Sequence, residues 1–185
     1  MIPSAPDQIL KDKAEAVQTI VLTVEDLNDA FRHAITVTRE QQGLVIAAPQ
    51  LGTEPRRRFE HLCREHGITL LSGDLRSHAG PIHTGFTVGD WALADTATLV
   101  LDSTSEDVRI ATMLSEVHVA VVPRPRIRAT AFDLLEELGY SMATPPSYLA
   151  FISGASRTAD IERVLTIGVH GPQEFHLLIL EEPPS

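Results

Sequence analysis

The stretch LVIAAPQLGTEPRRRFEHLCREHGITLL, residues 44–71, decides the fold class. Leu44-Val45-Ile46-Ala47-Ala48 is a short apolar run ended by Pro49, and Ile68-Thr69-Leu70-Leu71 is a second. Between them Arg56 to His66 has a helical pattern stopped by Gly67. A strand, a helix and a second strand in this order imply a parallel sheet.

Working outward, Asp7 to Gln18 and Glu25 to Gln42 read as helices. Thr23-Val24-Glu25-Asp26 opens the second with a capping residue and early acids, and Gly43 closes it. Leu27, Phe31, Ala34, Ile35 and Thr38 form a stripe at helical spacing that suits core packing. Residues 1–42 are thus expected to be a helical segment preceding an α/β core over 43–185, within one domain. Ser72 to Gly89, with four glycines and Pro81, reads as loop with brief extended pieces. Trp91–Ala94 and Thr98–Asp102 are apolar runs separated by Asp95-Thr96-Ala97. Ser105–Ser115 and Thr130–Leu138 read as helices. Val117–Val122, Tyr148–Ile152 and Phe175–Leu180 complete the strands, and the whole predicts a three-layer α/β domain with a largely parallel sheet.

At 185 residues the chain can bury about 70% of the surface its unfolded form exposes. A net charge of −10 argues against a nucleic-acid partner, since phosphate binding needs a basic face. The Arg56-Arg57-Arg58 cluster, beside Glu54 and Glu60, reads as a solvated helix face. The single cysteine, Cys63, forms no internal disulfide and cannot hold an iron–sulfur cluster, which takes several thiolates. No run of eighteen apolar residues and no signal-peptide pattern occurs, so no membrane contact and a cytoplasmic location are expected. None of the histidines falls in H-E-x-x-H spacing, and no metal site is expected. Neither G-x-G-x-x-G, G-x-x-x-x-G-K-[ST] nor G-x-S-x-G occurs, and no cofactor is expected.

The densest polar region follows the Tyr148–Ile152 run: Ser153-Gly154-Ala155-Ser156-Arg157-Thr158, then Asp160 and Glu162. Read as a turn opening a helix at the carboxyl end of a strand, it offers backbone N–H groups, three hydroxyls and a guanidinium to an anion. The same residues also cap helices without any ligand. Three further groups are candidates. Asp95-Thr96 is either a turn former or an acid directed into a cleft. His170, in Gly168-Val169-His170-Gly171-Pro172, titrates nearest neutrality, and Gly171 leaves the backbone open to a ligand. Arg109 suits a carboxylate or an ion pair with Glu106 or Asp107, while His118 opens a strand and suits a structural role.

The run SGASRTADIERVLTIGVHGPQEFHLLIL, together with Gly85-Phe86-Thr87, Asp90 to Thr96, Arg109 and His118 to Val122, resembles the LutC/YkgG proteins of lactate utilisation, the LUD-domain family. The likeness covers the last hundred residues or so well and the first eighty in general layout. Asp95-Thr96-Ala97 stands where the family has E-T-G, and Ala155 where it has proline. The resemblance implies the fold of ribose-phosphate isomerases, glucosamine-phosphate deaminases and CoA transferases (NagB/RpiA/CoA transferase-like). It implies a part in oxidising L-lactate to pyruvate as a non-iron–sulfur subunit beside iron–sulfur partners, with an anion or carboxylate cleft. Asp95, His170 and Asp160 are the candidates for acid–base chemistry. Ser153, Gly154, Ser156, Arg157, Thr158, Glu162, Thr96, Arg109 and Gly171 are those for binding the small anionic ligand. The alternative is a free-standing enzyme on a phosphorylated, CoA-linked or folate-like molecule.

Overall fold

The computed structural model describes residues 5–141, 148–158, 166–167 and 171–181. Helix α1 (Pro6–Ala14) runs through a 3-10 turn into strand β1 (Thr19–Val24), followed by α2 (Leu27–Glu40), β2 (Val45–Ala47), α3 (Thr53–Glu65) and β3 (Thr69–Leu71). Then come β4 (Ile82–Val88), β5 (Trp91–Leu93), β6 (Thr98–Asp102), α4 (Glu106–Met113), β7 (Ser115–Pro123), β8 (Ile127–Arg128) and α5 (Ala131–Ser141). Strand β9 (Leu149–Ile152), the short pair β10 (Arg157–Thr158) and β11 (Thr166–Ile167), and β12 (Glu174–Leu180) complete the described chain.

Six strands form a central sheet in the order β1-β12-β7-β4-β2-β3, parallel throughout. The β2–α3–β3 unit read from residues 44–71 is present, with Val45 opposite Thr69. Helices α2 and α3 cover one face, where Phe31 and Phe59 stack at 4.2 Å and Phe86 of β4 meets both rings. Cys63 is fully buried in this layer, and burial, followed by Glu60, pushes its thiol up to about 12. It is a packing residue with no thiolate chemistry at neutral pH.

The opposite face carries the third layer: α1, α4 and a second sheet in the order β8-β5-β6-β9. In that sheet β6 runs antiparallel to both neighbours. Leu134 of α5 packs outside it on Trp91, Leu93 and Val100. Glu137 fastens the helix there, accepting from Arg128 Nε at 2.6 Å and Trp91 Nε1 at 3.3 Å.

Two strands of the central sheet differ from the sequence reading. Thr19–Val24, inside the segment expected to be helical, is edge strand β1, paired along its length with β12. Asp26 rather than Thr23 caps α2, its carboxylate accepting from the Asp29 N–H at 2.9 Å. The second difference is β4, which lies inside the sheet where residues 72–89 were read as mainly loop. Its threonines are satisfied internally: Thr84 Oγ1 lies 2.7 Å from Thr38 Oγ1, and Thr87 Oγ1 2.8 Å from His118 Nε2; His83 Nδ1 lies 2.9 Å from Thr84 Oγ1, while its buried Nε2 has no partner among the described residues. Its glycine answers a steric demand. A Cβ on Gly85 would stand 1.8 Å from the Ala111 carbonyl oxygen of α4. Glycine inside a strand marks such close backbone approaches.

Gly85→Ala therefore forces α4 off the sheet and is expected to cost about 3 kcal/mol, the upper range of core overpacking. Urea denaturation reads this as a lower midpoint at unchanged slope. A midpoint equal to the parent's would show that α4 does not sit so close.

Candidate functional site

The polar turn after β9 is built differently from its sequence reading. Strand β9 belongs to the second sheet and pairs antiparallel with β6, so the turn does not sit at the carboxyl end of a parallel strand. No helix opens at Arg157-Thr158; the chain there forms β10, paired antiparallel with β11. An apolar run alone carries no information about which sheet it joins, and the expectation erred on that point. Asp160, Glu162 and His170 lie outside the described residues, and Thr158 is described only as backbone of β10.

The turn's polar groups are largely spent within the protein. The Ser156 N–H donates to the Pro172 carbonyl at 2.8 Å. Ser153 Oγ lies 2.5 Å from Thr98 Oγ1, and the exposed Arg157 guanidinium returns to the Ser153 carbonyl at 3.4 Å. Gly154 takes φ +83, and a Cβ there would lie 2.0 Å from the Val17 carbonyl oxygen. The glycine serves a close backbone contact, and the Ser156 amide is engaged.

Asp95 and Thr96 form the exposed hairpin turn between β5 and β6, with the Asp95 N–H donating to the Ala129 carbonyl at 3.1 Å. A chain of hydroxyls links this turn to the previous one: Thr98 Oγ1 donates to Thr96 Oγ1 at 2.8 Å, and Thr96 donates to the Asp95 carboxylate at 3.4 Å. Since the Thr98 proton goes to Thr96, Ser153 is the donor in the 2.5 Å contact. The structure thus brings Asp95, Thr96 and Ser153 into one network, with Thr98 the member sequence reading missed.

The cavity lies elsewhere. A pocket of about 310 Å³ opens at the amino-terminal part of β7 and β12, on the face toward the second sheet. The sequence reading placed a cleft at the carboxyl ends of the strands; this cavity lies toward the amino-terminal parts of β7 and β12, with β9 of the second sheet over it. His118 and Phe175 form the floor, stacked with ring centres 5.0 Å apart. Arg109, Thr112 and Met113 of α4 make one wall and Ala150 and Ile152 of β9 another. Ser103, Gly154, Ser156, Gly171 and Pro172 complete the rim. Of the expected binding residues, Gly154, Ser156, Arg109 and Gly171 meet here; Ser153, Arg157, Asp95 and Thr96 do not line it.

Arg109 is the cavity's cation. Neither expected ion pair forms: Glu106 pairs with Arg76, and Asp107 accepts the N–H groups of Asp74 and Leu75. Arg109 Nη1 instead donates to the Ser103 and Thr104 carbonyls at 2.6 and 2.7 Å. Among the described residues its Nε and Nη2 have no partner, and no carboxylate pairs with it. Those two nitrogens are the set a carboxylate takes bidentately.

His118 was expected to be a satisfied structural residue, and it is only half so. Its Nε2 bonds Thr87, but its Nδ1 is buried with no partner among the described residues, on a side chain 1% exposed. An orphaned buried group of this kind costs about 1–3 kcal/mol. The signal in the sequence was a histidine inside an apolar strand; only packing shows which nitrogen is free. Across the sheet, His176 Nε2 faces Glu174 at 3.2 Å, and its Nδ1 lies 2.9 Å from His33 Nε2. The carboxylate accepts from His176, so His33 is the donor in the next link. Among the described residues no group of three or more His, Cys, Asp or Glu side chains is placed to hold a metal, and no helix is long and apolar enough to cross a membrane.

The fold and cavity can be set beside known proteins. The LUD domain family model matches residues 8–180, and the chain belongs to that family. It is 29% identical over 198 residues to lactate utilization protein C of Bacillus subtilis (strain 168), covering 94% of this chain and 78% of that one. Lactate utilization protein C of Bacillus velezensis is 33% identical over 127 residues, covering 64% of this chain and 53% of that one. Among solved structures, a DUF162 family protein from Deinococcus radiodurans superposes with a TM-score of 0.60 at 15% identity, covering 96% of this chain and 99% of that chain. That likeness shows the fold alone.

Two histidines, His33 and His118, set a pH dependence. Burial, and after it the neighbouring His176, holds His33 down at about 4 and His118 at about 3. Unfolded, both titrate near 6.5. Below that value the unfolded chain binds more protons, so the stability they contribute is complete above about pH 6.5 and is lost as pH falls toward 4. The slope is up to about 1.4 kcal/mol per pH unit for His118 and less for the partly solvated His33. The thermal midpoint is expected to be clearly lower at pH 5 than at pH 7.5. Equal midpoints would show that neither ring is held neutral.

Proposed function

We propose that this chain takes part in L-lactate utilisation in the cytoplasm, as a subunit without iron–sulfur chemistry, and that the cavity on β7 and β12 is its small-carboxylate site. The names of its relatives support the process, and its single cysteine suits a subunit that leaves electron transfer to a cysteine-rich partner. The observation that carries the site is Arg109, a guanidinium anchored on two backbone carbonyls with its remaining N–H groups on a largely apolar cavity. In such surroundings one charge-assisted pair is worth more than at a surface, because water competes less for both partners. Ser156, Gly154 and Gly171 shape the rim and leave room for a small ligand.

The reading that a phosphate ester is held by the turn after β9 loses support from the geometry, since the Ser156 amide and the Ser153 hydroxyl are engaged. Calorimetric titration separates the two. L-lactate or pyruvate is expected to bind, and Arg109→Gln to weaken it about 10- to 100-fold, the loss of one charged hydrogen-bonded partner. Deleting the gene is expected to slow growth on L-lactate and not on glucose. Binding of a sugar phosphate or CoA ester without any response to lactate or pyruvate would replace this reading with the free-standing enzyme.

A further inference from the structure

The cavity is too large and too apolar for a three-carbon acid alone. Its 310 Å³ equals the liquid volume of about ten waters, whereas lactate occupies that of about four. The surplus faces Met113, Ala150, Ile152, Pro172 and Phe175, which present hydrocarbon and an aromatic ring. Water filling that part would find few partners, and a site of this character takes ligands with an apolar body.

The polar lining is equally selective. Arg109 is the cation that the described residues present to the cavity, and it matches one negative charge. The buried His118 Nδ1 has no partner among the described residues, and its low affinity for protons keeps it neutral. A neutral imidazole nitrogen bonds a hydroxyl or a carbonyl, according to its tautomer. The Ser103 and Thr112 hydroxyls, by contrast, already bond backbone carbonyls, while the Ser156 hydroxyl on the rim has no partner among the described residues.

We infer that the cavity takes a monocarboxylate bearing a hydroxyl or oxo group and an apolar body larger than methyl, with Arg109 on the carboxylate, His118 on the neutral oxygen, and Phe175, Ile152 and Met113 around the body. This rests on the reading of the cavity as a carboxylate site and assigns to it a substrate class, branched or aromatic 2-hydroxy and 2-oxo acids. His118 is a binding residue in this arrangement. A ligand there removes the standing cost of its orphaned nitrogen, so an analogue lacking the oxygen is rejected more sharply than one lacking a methylene.

Titration of the full chain with L-lactate, 3-phenyllactate and 3-phenylpropionate tests this. Phenyllactate is expected to bind at least tenfold tighter than lactate, for its ring, and at least tenfold tighter than phenylpropionate, for its hydroxyl. The double variant Thr87→Val with His118→Phe removes both hydrogen-bonding partners together and is expected to bring phenyllactate and phenylpropionate to equal affinity. Lactate binding as tightly as phenyllactate would overturn the apolar body. Equal binding of phenyllactate and phenylpropionate to the parent chain would overturn the role of His118, whether or not the variant folds. The underlying carboxylate reading fails separately, when Arg109→Gln binds all three acids as the parent does. Binding of none of them overturns both.

Discussion

The approach of helix α4 to strand β4 is the constraint on which the rest of the molecule depends. The Ala111 carbonyl comes so near Gly85 that no side chain fits between them, and Ser115 Oγ donates to that same carbonyl at 2.8 Å as the helix ends. The contact fixes α4 against the centre of the sheet. Because β4 pairs with β7, with Gly85 opposite His118, the same contact fixes the arginine of the helix relative to the histidine of the strand. On the other face of β4, Phe86 meets Phe31 and Phe59, so the strand is held from both sides. Cores packed this densely transmit displacement rather than absorb it.

That arrangement explains an electrostatic contrast within one small space. Two backbone carbonyls hold the Arg109 guanidinium, and part of its surface meets water. His118 loses its charge because burial, and after it the neighbouring His176, disfavours a proton there, with only Phe175 and a threonine hydroxyl in contact with the ring. A fixed cation beside a neutral imidazole distinguishes a charged end of a ligand from an uncharged one.

Much of the fold was legible in the sequence, and the losses have physical causes. Residues 44–71 gave a parallel unit correctly because a buried strand, an amphipathic helix and a second strand each carry their own local pattern. Strand β4 was hidden because its glycine, threonines and histidine imitate a loop; their partners, Thr38 and His118, come from distant segments. Strand β1 was hidden between two helices, where Ile20 and Leu22 remain partly exposed on an edge strand and give no clean alternation. The cavity draws on α4, β7, β9 and β12, and no local motif announces a space assembled that way. Arg109 and His118 were both singled out from the sequence, but the ion pairs and satisfied hydrogen bonds expected for them could be refuted only in three dimensions.

The polar turn at residues 153–158 carries the same lesson in a sharper form. Its density of hydroxyl, glycine and guanidinium groups resembles an anion site, yet most of those groups bind the protein itself. Gly154 lies on the Val17 carbonyl, Ser153 donates to Thr98, and the Ser156 amide holds the Pro172 carbonyl. Those contacts join the end of the amino-terminal segment, the β5–β6 hairpin and the lead into β12 at one point on the cavity rim. A turn that must meet three unrelated segments needs a donor or an open backbone for each, which is the composition an anion would also select. The distinction lies in where the free valences end: they are few in the turn and remain on Arg109 and His118, behind it.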